Sequence, residues 1–428
     1  VKTVTKTVAD NDDSFYRMDK LFGARTKNDG AWHNYKTVST FSSTCNAGMS
    51  KLFNYLGLEN STNAYGCNGL TEVTDMIFSV KYTISNKLLA ESNLRSYYTG
   101  SDGEFIYKNN YTLPIGFAIN EQSASKMNFM TANNGIENQN LMIQNMTGIS
   151  DVFTVVDEFP NESECTIKPQ KNGHLYLIAA NQSVDYITVT LNNSDKSYSY
   201  SNLKSNNRII DVGYVTKSDT VEVTAETGMN LTAYMLDSDK LIKAYNILNA
   251  ESYQVDSYTD THFKGSINLS SDKTVLFSIP YDAGWSVYVD GKRVDTFVWK
   301  NALLCVDVPA GTHSLELRYV PHNLILGCVL TAFSIIILIG IYVSARLIKN
   351  GRIHTDNWPV FIRKYLELPV IESVAESHSD NQNDNFLNKN IQETILDEMN
   401  DFDNLESPDS EDDTSDYNLK NNETKEDL

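Results

Sequence analysis

The chain has 428 residues, with 55 acidic against 35 basic side chains and a formal net charge of −20. That balance argues against nucleic acid as a partner, because neutralising phosphates needs basic patches. Its five cysteines form no CxxC and no cluster with histidine, so no zinc site, other metal or cofactor is expected.

The first residues, "VKTVTKTVADNDD", carry no apolar signal-peptide core and begin at Val1, which reads as a processed product or a piece of a longer chain. Residues 12–100 read as mixed α/β. "FYRMDKLF" suits a strand. "STFSSTCNAGMSKLFNYLGL" offers Ser and Thr caps ahead of Met49, Leu52, Phe53 and Leu56 on one helical face, with Gly57 as a stop. "TEVTDMIFSVKYTISN" opens with a Thr-based cap and turns into the strand-like "VKYTIS". Cys45 and Cys67 fall in this region, either as a pair or as two free thiols.

From about residue 104 to 323 the signal is β. "HLYLIAA", "YITVTLN", "RIIDVGYV", "DTVEVTA" and "NLTAYML" are short β-branched or aromatic runs separated by Asn, Ser, Asp and Gly. Their rhythm predicts a β-sandwich, closed by a helix in "DSDKLIKAYNILNAES" before a second β block. That block contains "IPYDAGWSVYVDGKRV", the stretch densest in chemistry. Trp285, Val287 and Val289 share one strand face, and Asp-Gly between two strand-like runs predicts a tight hairpin. Leu304, Val306 and Val308 are in phase in the next arm, as are His313, Leu315, Leu317 and Tyr319 in the last. Tyr281, Asp282 and Trp285 are the candidate carbohydrate contacts: two rings to stack on a sugar and a carboxylate to accept from its hydroxyls. The alternative is architectural, with Trp285 packed between sheets and Asp282 forming a turn after Pro280. The histidines show no HxH or HExxH spacing, adjacent acids would face opposite ways on a strand, and no nucleophile elbow or phosphate loop occurs. No catalytic residue is therefore assigned.

"LILGCVLTAFSIIILIGIYVSA", Leu324 to Ala345, is uncharged and long enough to cross a bilayer. Arg346, Lys349, Arg352, Arg363 and Lys364 crowd its far side, whereas Arg318 stands near the other. The positive-inside rule therefore predicts a cell-membrane protein with residues 1–323 extracytoplasmic and the C-terminal tail cytoplasmic. In "NWPVFIRKYLEL" aromatic and basic residues mix, as in a segment lying on the inner leaflet. Residues 353–428 hold about twenty acidic against about five basic side chains and too few apolar ones to fold alone, so a disordered acidic tail is expected. Within it Leu387, Ile391, Ile395, Met399 and Phe402 recur near helical spacing, as a nascent or partner-binding helix would.

The fold class expected is thus mainly β. A small mixed α/β subdomain (1–103) precedes an extracytoplasmic β-sandwich-like domain (104–250) and a second β block at the membrane surface (251–323). A transmembrane helix (324–345), a juxtamembrane segment (346–372) and the acidic tail (373–428) follow.

"FYRMD", "NDGAWHNYKTVSTFSS", "DMIFSVKYTISN", and above all "LFSIPYDAGWSVYVDGKRVDTF" through "VPAGTHSLELRYVP" followed at once by a membrane helix, resemble the C-terminal portion of YfhO-like bacterial membrane proteins. The resemblance covers about residues 12–345 and leaves the acidic tail unexplained. It implies a polytopic protein similar to GT-C glycosyltransferases, which take sugar from a polyprenyl-phosphate donor to modify cell-envelope polymers such as lipoteichoic acid. It further implies that the catalytic carboxylate lies in an early outer loop absent from this chain, so that the chain alone is inactive. The competing expectation is a single-pass surface protein whose sandwich ectodomain binds a glycan or a protein partner.

Overall fold

The period-two patterns beyond residue 253 become the facing walls of a sandwich in the computed structural model, which describes residues 1–22, 26–120, 134–179, 184, 186–192, 197–200, 209–321 and 323–350. One wall has five strands in the order Gln254–Tyr258, His262–Leu269, Gly311–Tyr319, Trp285–Val289 and Lys292–Val294. The other has four, Thr296–Trp299, Leu303–Val308, Lys273–Pro280 and Gly116–Ile119. Trp285, Val287 and Val289 point inward with Leu315 and Leu317 and meet Val275, Phe277, Leu304 and Val306 from the opposite wall. Each large apolar side chain so buried stabilises by about 1.5–3 kcal/mol. Between Val289 and Lys292, Asp290 and Gly291 adopt φ of 50° and 78°, the doubly left-handed turn that Asp-Gly favours. The charges of "VDGKRV" thus belong to a hairpin.

The four-stranded wall is covered on both faces. Val275, Phe277 and Ile279 line the sandwich, whereas Leu276, Leu303, Cys305 and Trp299 enter a second core. That core is completed by the helices Ala47–Tyr55, Glu72–Ile77, Gly135–Thr147 and Ser238–Asn249. A strand buried on both sides reads as a continuous apolar run, which "TVLFSI" is.

Local chemistry explains the helix ends. Asn46, rather than a Ser or Thr, caps Ala47–Tyr55 by accepting from the Met49 N–H at 3.1 Å. Gly57 follows with φ 74°. Thr71 and Thr74 form a reciprocal capping box on Glu72–Ile77, which hands over to the strand Val80–Ser85. Asp237 caps Ser238–Asn249. Gly135–Thr147 departs from the β signal expected over 104–323. Its buried face, Ile136, Gln139, Met142, Ile143 and Met146, has helical spacing, but a glutamine stands in the middle of the stripe and masks it.

Beside the small pair Thr40–Phe41 and Ala64–Tyr65, two further sheets of four or more strands complete the described body. Arg17–Lys20 runs parallel to Val80–Ser85, which pairs antiparallel with Glu104–Asn109, and that strand with Arg95–Ser101. The helix Lys2–Ala9 packs Val4 and Val8 against Met18, Tyr82 and Ile106 of this sheet. In the other sheet, the two runs "DTVEVTA" and "NLTAYML" form one long strand, Val221–Leu236, not two. It pairs with Phe153–Ile167 on one side and with Ile187–Leu191 and Gly173–Ala179 on the other.

The chain divides into two units, Val1–Leu324 and Ile325–Leu428. Among the described residues, Leu324–Lys349 is the one helix long and apolar enough to cross a membrane, and none of its residues is buried. It runs about one turn beyond the expected end at Ala345. Beyond residue 350, the predicted inner-leaflet segment and the acidic tail with its apolar positions lie outside the described residues.

Candidate functional site

The segment entering the strand Arg17–Lys20 lies against the edge of the sandwich through aromatic rings. Phe15 meets Tyr258 and Phe263 edge-on, with centroids 5.4 and 5.5 Å apart, and Tyr258 stacks on Phe263 at 5.9 Å. Phe263 neighbours Trp285 at 6.4 Å, and Trp285 neighbours Tyr319 at 5.0 Å. Such pairs add about 0.5–1.5 kcal/mol each beyond area burial. The Tyr258 hydroxyl also donates to the Ser14 carbonyl at 3.2 Å, across 244 residues of sequence.

Beside these rings runs an open groove of about 260 Å³. Its apolar lining is Phe15, Ile115, Phe263, Ile279 and Trp285, and its polar lining is Arg17, Lys36, Thr37, Thr259 and Asp260. The volume lies just below the roughly 300–1,000 Å³ of sites for drug-sized ligands, which suits one ring with a substituent. Arg17 donates from Nη1 to the Phe78 carbonyl at 2.7 Å and to Ser278 Oγ at 3.0 Å, and from Nη2 to the Ser278 carbonyl at 2.7 Å. Its guanidinium also lies 5.1 Å from the Phe15 ring centroid. Desolvation pushes its pKa down to about 10, and among the described residues it makes no ion pair. Lys36 Nζ is 5.3 Å from the Tyr258 centroid and 3.9 Å from Asp260 Oδ1, an exposed pair that contributes little.

Of the three residues singled out from the sequence, Trp285 lines this groove and the other two do not. Trp285 is 8% exposed, packed between the sheets with its remaining surface at the groove. Asp282 shapes the turn after Pro280, Oδ1 accepting from the Gly284 N–H at 2.7 Å. Tyr319 is pushed up first by burial and then by the Asp282 carboxylate. Tyr281 packs at the margin of the sandwich core, and its carbonyl accepts from Asn46 Nδ2 at 2.9 Å. Arg17 and Lys36 escape sequence reading because nothing local marks them; a segment more than 200 residues from Trp285 supplies them.

A second polar constellation is buried where the sheet containing Arg95–Ser101 and Glu104–Asn109, the helix Glu72–Ile77 and the strands Gly173–Ala179 and Ile210–Val215 meet. Arg95 Nη2 lies 2.9 Å from Glu72 Oε1 and 3.7 Å from Asp75 Oδ2, and its Nε donates to Asn109 Oδ1 at 3.1 Å. Asn109 in turn donates to Asp75 Oδ2 at 3.1 Å. Burial raises Glu72 and Asp211, and burial together with Glu72 raises Asp75 well above the usual carboxylate range. Burial and Arg95 push His174 down to about 4.

Ser92, His174 and Glu72 stand in the order of a nucleophile, base and carboxylate, with Ser92 Oγ 3.1 Å from His174 Nε2 and Glu72 Oε1 3.5 Å from His174 Nδ1. Ser92 Oγ, however, accepts from the backbone N–H of Leu94 and of Arg95 at 3.1 and 3.2 Å. Both lone pairs that a nucleophile needs are committed, so these groups form a structural relay. Cys45 and Cys67 are free thiols, and Cys67 is raised first by burial and then by Asp19.

A family model described as bacterial membrane protein YfhO matches residues 1–331. No curated protein matches. Among solved structures, the arabinofuranosyltransferase AftD from Mycobacteria is similar over 37% of this chain and 13% of its own, at 10% identity and a TM-score of 0.16. A second AftD structure covers 37% and 12% at 8% identity, with a TM-score of 0.15. The vicilin of hazelnut, Corylus avellana, covers 42% and 77% at 8% identity, with a TM-score of 0.14. The chain thus spans a small part of the AftD chains, and likenesses this weak carry no argument about fold or activity.

Proposed function

The chain belongs to the YfhO family of bacterial membrane proteins, and from that membership we propose that it is part of a membrane glycosyltransferase that modifies cell-envelope polymers. The observation that carries this is the extent of the match, which runs through the whole β body and into the helix that begins at Leu324. In this proposal residues 1–323 lie outside the cytoplasm and orient the acceptor, a polymer such as lipoteichoic acid. The sugar comes from a polyprenyl-phosphate donor, and the reacting groups belong to a polytopic membrane domain outside this chain.

The division into an α/β subdomain, a sandwich domain and a membrane-proximal β block is part of the same proposal, as is carbohydrate contact by Tyr281, Asp282 and Trp285. Chain connectivity supports it, since the last strand ends at Tyr319 and the apolar helix starts at Leu324. Only four residues of chain separate the two, so in this proposal the second β block is the membrane-proximal one.

The test removes residues 1–323 as one unit while keeping the helix Leu324–Lys349, in cells fed a labelled sugar. The expected result is loss of label from the envelope polymer, with the lipid-linked sugar still formed. Unchanged polymer labelling overturns the proposal. Sidedness is tested by protease added to intact cells, which should digest the β body and spare the tail.

A further inference from the structure

The groove between the N-terminal segment and the sandwich is lined by two cations, Arg17 and Lys36, and one acid, Asp260, which lies against Lys36. Arg17 spends three N–H donors on two carbonyls and a hydroxyl, out of the five that a guanidinium has. None of its partners among the described residues carries a negative charge. A second cation, Lys36, lines the same groove, and its nearest acid, Asp260, is a 91%-exposed rim residue at 3.9 Å. An arginine of intermediate exposure with two N–H donors beyond its three bonds among the described residues, and no counter-charge, favours an anion that can reach it, because carboxylate and phosphate oxygens match the fork.

The rest of the lining fixes the ligand class. The partly exposed Phe15 ring lies beside the two cations with the edge of Trp285 behind it, and Thr37 and Thr259, whose hydroxyls accept from the Ser39 and Thr261 N–H, complete the polar lining. Aromatic faces with hydroxyl partners suit a pyranose ring, whose C–H groups stack while its hydroxyls bond. We propose that this groove is a binding site for a sugar or polyol phosphate, the ring lying on Phe15 beside the edge of Trp285 and the phosphate meeting Arg17 and Lys36. The proposal rests on the acceptor-orienting role given to the body above and names the chemistry that this role would recognise. The same headgroup chemistry is offered by the phosphate of an acidic phospholipid, and the proposal commits to the carbohydrate phosphate.

The test is calorimetric titration of the full chain in nanodiscs of phosphatidylcholine with glucose 1-phosphate, with methyl glucoside and inorganic phosphate as separate probes. Glucose 1-phosphate should bind at least about tenfold more tightly than methyl glucoside, the scale of a lost charged hydrogen bond. Lys36→Gln and Arg17→Met should each weaken it by about the same factor. Lys36 does not hold the fold, so its variant remains informative if Arg17→Met fails to fold.

Equal binding of the neutral glucoside, or binding unmoved by Lys36→Gln, overturns the anion site. No heat from any probe overturns the site altogether. Repeating the titration in phosphatidylglycerol nanodiscs separates the two phosphate sources: glucose 1-phosphate displaced there in the wild type, and not in Lys36→Gln, assigns the groove to lipid headgroups and overturns the carbohydrate assignment. Polymer labelling in cells lacking residues 1–323 reads the acceptor role independently of the groove, so the two failures are distinguishable.

Discussion

Replacing Arg95 by Met removes the cation that faces Glu72 and Asp75 in a buried layer. The side chains of Arg95 and Glu72 are 6% and 3% exposed, so solvent screening does little to weaken their contact. Breaking a buried pair by deleting one partner costs about 3–5 kcal/mol, because the other charge is left without compensation. That is a large share of the roughly 5–15 kcal/mol by which domains are stable.

The carboxylates have an escape, which gives the loss a pH signature. Glu72 and Asp75 have folded-state pKa values raised above their unfolded ones, so their protonated forms stabilise, fully below about pH 4. That contribution is lost as pH rises through the folded values. Arg95 holds both values down; without it they climb further, and the variant goes on losing stability over a wider range. The gap between wild type and Arg95→Met should therefore be smallest near pH 4 and widen toward neutrality. Urea unfolding of the full chain in detergent, followed by tryptophan fluorescence at several pH values, measures it. A gap independent of pH, or below about 1 kcal/mol at pH 7, refutes the assignment of a charge-balancing role to Arg95.

Trp285→Ala should cost about 3–5 kcal/mol in the same unfolding assay, since the ring is a wall of the sandwich core as well as of the groove; a loss under about 1 kcal/mol would mean that its burial is not as described. Gly291→Val should cost about 1–2 kcal/mol, and the cost is purely conformational, because a Cβ there meets nothing within 4 Å while φ is 78°. Gly291→Asn should recover most of it, and equal loss in both variants would point to a steric cause instead. His313 should titrate above about 6.5 by NMR, raised by its hydrogen bond to Asp290, so its contribution fades as pH rises through the folded value, while that of Asp290, which the same bond lowers, is lost when pH falls through the Asp290 value. Asp290→Asn should return His313 to the ordinary value; no change on that substitution would exclude Asp290 as the cause.

Much of the β architecture could be read from the chain because each strand of the sandwich carries its own period-two record. Trp285, Val287 and Val289 face in, and Asp290-Gly291 makes the turn their spacing required. The apolar helix from Leu324 needed only length and composition. What sequence reading missed was decided by distant partners. Gln139 fills a helix stripe because its amide donates to the Leu56 carbonyl at 2.8 Å and its oxygen accepts from Thr71 at 2.6 Å, bonds invisible from residues 135–147 alone. Arg17 looks like an ordinary first residue of a strand until Ser278 arrives beneath it. Of the three residues proposed from the sequence, Trp285 reaches the groove because strand alternation aims it there, whereas Asp282 is engaged in its turn.

The contacts of Arg17 also set a timetable. Its bonds to Ser278 span 261 residues, and those to Phe78 span 61. Loops of that length close slowly, since chain entropy is lost before any contact compensates for it. The groove needs the strand Lys273–Pro280 docked, whereas the N-terminal sheet pairs over shorter separations. On refolding, the strand Lys273–Pro280 should therefore gain protection later than Arg17–Lys20 and Val80–Ser85, and pulse-labelled hydrogen exchange measures that order.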